Sequence, residues 1–168
     1  MTPVLVAGIG NVFQGDDGFG VAVAQALAGR DLPGVRIVDF GIRGLDLVYA
    51  LLDGYRAAIF VDSIRRGDPP GTVSVIEPEL PQSVDAPEEI ALSPHAMDPL
   101  RVLRMACLLG AGCRRILLVG CEPESFGDAE FGTMALSPAV AAAVGPAAQT
   151  VEELALALAR DLLEEEVR

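Results

Sequence analysis

The chain contains no lysine. All twelve of its bases are arginine, so neither a Schiff-base lysine nor the lysine of a phosphate-binding P-loop is available. Histidine occurs once, as His95, and there is no Gly-x-Ser-x-Gly elbow, which removes the common serine-nucleophile arrangements. Aromatic residues make up only 5% of the chain, so its core must be mainly aliphatic. Bases are outnumbered by 24 acids, leaving a net charge of -12, and that balance argues against a nucleic-acid surface. Cysteine is scarce too: Cys107, Cys113 and Cys121 form no Cys-x-x-Cys pair, which fits buried thiols in a reducing setting rather than a thiolate metal cluster. No apolar run approaches the ~20 residues of a membrane span, and no basic leader opens the sequence. The expectation is a soluble, cytoplasmic protein with neither nucleic acid nor membrane as partner.

What is present is apolar and regularly spaced. With 168 residues, 51% of them hydrophobic, the chain is expected to form a single domain, 1–168, with a sizeable core. Val4 to Gly8 is an unbroken apolar run, the pattern of a strand covered on both faces. A helix is expected over Gly18 to Ala28, a strand over Val35 to Phe40, a short helix over Leu45 to Leu52 and a strand over Ala57 to Asp62. After the turn Arg65 to Gly71, Thr72 to Ile76 alternates like an antiparallel edge strand. Glu77 to Pro94 carries four prolines and suits a surface loop. Asp98-Pro99 opens a helix to Leu109, and Arg115 to Gly120 is the last strand. Ser137-Pro138 repeats the cap-plus-proline start, Gly145-Pro146 is expected to break or restart that helix, and Val151, Leu154, Ala155, Leu158 and Leu162 form one apolar stripe. This alternation predicts an α/β three-layer sandwich. Its twisted sheet of about five strands is mostly parallel, with one antiparallel edge strand and helices on both faces.

The first loop, Gly8-Ile9-Gly10-Asn11 through Asp16-Asp17-Gly18, invites a dinucleotide interpretation, and Asp39 follows the second strand where a ribose would want an acid. However, Phe13 stands where the fingerprint needs its third glycine. A different pattern emerges at the C-terminal strand ends, where open α/β sheets bind ligands. Asp16 and Asp17 follow the first strand, Asp39 ends the second and Asp62 ends the third. His95 lies on the long loop that can return to the same edge. Carboxylates with an imidazole suit a divalent transition metal with coordination positions left open. Each residue also has a plainer role: Asp16 as a helix cap, Asp62 as a turn residue bonding its own backbone, His95 as an exposed loop side chain.

These residues, in this order, resemble the [NiFe]-hydrogenase maturation proteases. The resemblance rests on Gly8-Ile9-Gly10-Asn11 with Asp16-Asp17-Gly18-Phe19-Gly20, on Asp39-x-Gly41-x-x-Gly44, and on Ile59-Phe60-Val61-Asp62-Ser63. It continues with Ser93-Pro94-His95, Val119-Gly120-Cys121-Glu122-Pro123-Glu124-Ser125 and Leu136-Ser137-Pro138. It implies an endopeptidase that removes the C-terminal extension of a hydrogenase large-subunit precursor after nickel insertion. The nickel is carried by the substrate, though another divalent metal is able to occupy the isolated site. Carried over by position, the metal-contacting residues are Asp17, Asp62 and His95. Many members have glutamate where Asp17 stands, and Asp16 beside it is then a cap and loop anchor. The hydrolytic base is left open between Asp62 and a metal-activated water, with Asp39 in second place. A monomer is expected. The competing functions are a nucleotide-binding α/β module and a non-catalytic, metal-sensing chaperone.

Overall fold

The computed structural model describes residues 3–79 and 98–166. Strand β1, Val4–Ile9, is buried at every position. It pairs in parallel with β2, Val35–Gly41, on one side and with β3, Ala57–Ser63, on the other. β3 continues the parallel sheet to β5, Arg115–Cys121, and β4, Val73–Ile76, closes the edge antiparallel to β5. The order is β2-β1-β3-β5-β4, the mostly parallel sheet with one antiparallel edge that the sequence predicts.

The helices are α1, Phe19–Leu27, α2, Gly44–Leu52, α3, Pro99–Leu108, and α4, Pro138–Glu166. Alternate residues of each strand feed two separate cores. Val4, Val6, Ile59 and Val119 pack with α1 and α4 on one face. Leu5, Ala7, Phe60 and Leu118 pack with α2 and α3 on the other. The central strands are therefore apolar throughout, because both pleat faces are covered.

The chain moves from β1 to β2 in one direction and returns past β1 to reach β3. Right-handed β–α–β crossovers made in opposite directions put α1 and α2 on opposite faces. The reversal opens a crevice at the C-terminal ends of β1 and β3, where connections leave in opposite senses.

Several local expectations need correction. The first helix begins at Phe19, after a separate 3-10 turn over Gly15–Gly18. Gly145-Pro146 does not interrupt α4, which runs continuously through Pro146. Ala142, Gly145 and Pro146 all face solvent, so water can satisfy the Ala142 carbonyl that loses its partner to proline. Asp98 does cap α3, its Oδ1 accepting the Leu100 N–H at 2.9 Å. Ser137 does not use its hydroxyl as a cap; that group is committed to Asp16. Along α4, Val151, Ala155 and Leu158 are buried, with Leu154 and Leu162 packed beside them. Most of the expected loop from Glu77 to Pro94, and His95 with it, lies outside the described residues.

Candidate functional site

The first loop owes its shape to two close backbone approaches. Gly10 has φ +137°, and a Cβ there would sit 1.7 Å from the Asp17 carbonyl oxygen. At Gly20 a Cβ would lie 2.0 Å from the carbonyl oxygen of Val61 and 2.3 Å from that of Ile9. The glycines let the loop fold on itself and let α1 press against β1 and β3. They are filled from within the protein, so their spacing is explained without a pyrophosphate.

Asp16 is fully buried and caps neither the 3-10 turn nor α1. Its Oδ2 accepts the N–H groups of Glu124 and Ser125 at 2.8 and 3.0 Å and the Ser137 hydroxyl at 2.9 Å. Its Oδ1 accepts the Ser137 N–H at 2.6 Å. Burial pushes this carboxyl upward, but the N–H donors of Ser125, Ser137 and Glu124 with the Ser137 hydroxyl outweigh it, so it stays below the ordinary range. Asp16 anchors the first loop to the segment between β5 and α4.

Asp17 is half-buried and points to the crevice. Its Oδ2 accepts the Asn11 N–H at 2.8 Å and its Oδ1 the Ser63 hydroxyl at 3.3 Å. Asp62, at the end of β3, is 6% exposed. Its Oδ1 accepts the Ser63 N–H at 2.8 Å, while its Oδ2 takes no hydrogen bond from the described residues. Burial first, and then the Asp17 carboxylate, drive the Asp62 carboxyl well above the ordinary range; Ser63 pulls the other way and Asp98 adds to the rise. Of the two adjacent acids in the first loop, Asp17 is therefore the one coupled to Asp62. Asp98 lies three residues beyond His95 in the sequence and also acts on Asp62.

Asp39 is on the neighbouring wall. It lines a groove of about 370 Å³ with Asn11, Phe13, Ile42 and Arg43. The Arg43 guanidinium is tied back to the carbonyls of Phe40, at 3.1 Å, and Asp39, which fixes the turn after β2. On the far side, buried Glu122 accepts the Arg66 N–H at 2.6 Å, and the Arg65 guanidinium lies 4.5 Å from the Phe126 ring centroid. These contacts pin the loop after β3 to the end of β5.

Chemically, the crevice offers two coupled carboxylates, one of them raised well above the ordinary carboxylate range by burial and by the other. Such a pair suits a cation, and a raised carboxyl suits proton transfer. Carboxylate oxygens of this kind fit a hard divalent cation, and a nitrogen donor such as an imidazole would shift the preference toward a metal such as nickel. Among the described residues no group of three or more His, Cys, Asp or Glu side chains is placed to hold a metal by itself. The cysteines stand apart from this chemistry: burial lifts the Cys113 thiol to about 12 and the Cys121 thiol to about 11. The Ser63 link between the two acids has a sequence signal only in its adjacency to Asp62. The Asn11 contribution is a backbone N–H and has none.

Known proteins share this architecture and sequence. The family profile described as HycI, hydrogenase maturation protease, matches residues 21–154. The hydrogenase expression/formation protein HoxM of Cupriavidus necator is 38% identical over 128 residues, covering 74% of this chain and 61% of that protein. The chain thus spans less than two thirds of that relative's length. The hydrogenase maturating endopeptidase HybD from E. coli superposes with a TM-score of 0.69 at 29% identity, covering 88% of each chain. The hydrogenase 2 maturation peptidase from Thaumarchaeota archaeon SCGC_AB-539-E09 gives 0.67 at 34% identity, covering 91% of this chain and 98% of that one. No helix among the described residues is long and apolar enough to cross a membrane. On the profile match and the shared fold, the chain belongs to the hydrogenase maturation protease family.

Proposed function

We propose that this chain is an endopeptidase that removes the C-terminal extension of a [NiFe]-hydrogenase large-subunit precursor once nickel has been inserted. The observation that carries the proposal is the coupling of Asp17 to buried Asp62 at the crevice between β1 and β3. Asp17, Asp62 and His95 contact the nickel that the substrate already holds, so cleavage is confined to loaded precursor. In the isolated protein the same donors would take another divalent ion.

The bond broken is a peptide C–N bond, and the attacking group is a water. Asp62, whose carboxyl is raised, is suited to take the water's proton and return it to the leaving amine. Asp17 stands beside it, held in orientation by Ser63 and Asn11. Asp39, on the groove wall, is placed to bear on the chain entering from that side. The nickel in the substrate supplies charge that polarises the carbonyl or acidifies the water.

The test is incubation with nickel-loaded and nickel-free precursor, with truncation followed by intact mass. Truncation of the loaded form alone is expected. Equal cleavage of both forms would refute the reading of nickel. A stable complex without truncation would favour a metal-sensing chaperone instead.

A further inference from the structure

Three large apolar side chains stand in water beside the first loop. Phe131 is 84% exposed, Met134 73% and Phe13 59%. They are not on a loose strand of chain. Asp128 Oδ1 accepts the N–H groups of Glu130 and Phe131 at 2.7 and 2.9 Å, and its carbonyl accepts that of Gly132 at 2.9 Å. The Thr133 hydroxyl accepts the Asp128 N–H at 3.0 Å.

This turn is in turn bound to the first loop. Gln14 and Thr133 form a parallel bridge. The Thr133 N–H donates to the Phe13 carbonyl at 2.8 Å, and the Gly15 N–H donates to the Thr133 carbonyl at 2.7 Å. The hydrogen-bonded turn from Asp128 to Thr133 therefore holds an aromatic ring outward, where neither the core nor a neighbouring helix uses it. Pre-ordered aromatic and methionine side chains on a surface are the usual anchors of protein recognition.

Resting on the processing role proposed above, we infer that Phe131, Met134 and Phe13 form the surface on which the folded body of the precursor docks, through an apolar patch at the base of its C-terminal extension. Continuity selects this occupant. Phe13 belongs to the apolar rim and also lines the groove with Asp39 and Ile42, four residues before Asp17 in the same loop. A tail entering the groove brings its parent domain onto the rim. A second copy of this chain would bring the same net charge of -12, which opposes self-association. An anionic lipid surface is opposed for the same reason.

The experiment compares the full chain with a Phe131→Ser, Met134→Ser double variant, using nickel-loaded precursor and intact mass as the readout. Both positions are too exposed to carry core packing, and matching melting curves verify that the fold is kept. The double variant is expected to raise KM about tenfold while kcat stays within about twofold. The wild-type KM is expected to change little between low and high salt, since the contact is apolar. An unchanged KM, or a loss confined to kcat, overturns the inference. So does a wild-type dimer in solution that the double variant dissociates. If the wild-type chain leaves the precursor whole, the processing role fails, and capture of the precursor decides the docking surface separately. Capture weakened about tenfold by the double variant upholds it; equal capture, or none by the wild-type chain, overturns it.

Discussion

Ser63 and Asp17 meet across 3.3 Å, the serine hydroxyl donating to Asp17 Oδ1, while the N–H of the same serine donates to Asp62. One residue thus orients both acids of the crevice. Ser63→Ala removes the hydroxyl but leaves the backbone donor. It is expected to slow precursor truncation about tenfold, the usual effect of losing a group that orients a ligand or catalyst. The folding free energy is expected to move by no more than about 1 kcal/mol. Truncation rates and urea unfolding check the two halves. An unchanged rate would leave Asp17 oriented by Asn11 alone.

Asp62→Asn separates function from stability. Asp62 has a folded-state value raised well above 3.8 by burial and by Asp17. Between 3.8 and that higher value the native state binds the extra proton, so stability falls as pH rises, and above it the whole penalty is present. Asparagine carries no such penalty. The variant is expected to be more stable than wild type at neutral pH by about 1–2 kcal/mol, with the difference vanishing below pH 3.8. Its truncation rate is expected to drop at least about a hundredfold. Thermal melts across pH check the first expectation and mass spectrometry the second.

Asp16→Ala acts in the opposite direction. It leaves the donors of Glu124, Ser125 and Ser137 without their acceptor, and unsatisfied donors to a lost charge make about 3 kcal/mol or more a reasonable cost. In the wild-type chain this contribution is present at pH above 3.8 and is lost as pH falls through the lower folded-state value. Acid titration of denaturation midpoints in both proteins tests the sign.

Two glycines give a contrasting pair. Gly10→Ala drives a Cβ to 1.7 Å from the Asp17 carbonyl in a backbone conformation that disfavours side chains, and a loss above about 3 kcal/mol is expected. Gly145→Ala meets nothing within 4 Å on the exposed side of α4, and a gain of about 0.5–1 kcal/mol is expected. Denaturant midpoints of the two variants should move in opposite directions.

The fold was legible where a residue's role is local or periodic. The unbroken run at β1, the alternation at β4 and the stripe on α4 each report which faces are covered. The acids of the crevice were legible as strand-end carboxylates, but the choice of Asp17 over Asp16 rested on the family resemblance, and the adjacency of β1 and β3, which are not consecutive, shows only in the sheet order. Asp16 was not fully legible. Next to a helix start it resembles a cap, and no local rule reveals that its partner Ser137 is 121 residues away. Pro146 misled for a related reason: its effect depends on whether the carbonyl it orphans faces water, which is a tertiary property. The turn that lifts Phe131 depends on Asp128 and Thr133 acting together, and neither residue type announces that role in sequence.

The bonds to Asp16 also set the order of events during synthesis. The donors that shape the first loop come from residues 124, 125 and 137, so an emerging chain has β1 and α1 long before it can have a formed crevice. A ribosome-bound fragment ending before Ser137 would carry Asp17, Asp62 and His95 in its sequence and still lack the two Ser137 donors that complete the hold on the Asp16 carboxylate. The full set of bonds that shapes the first loop is available only once the start of α4 has been made.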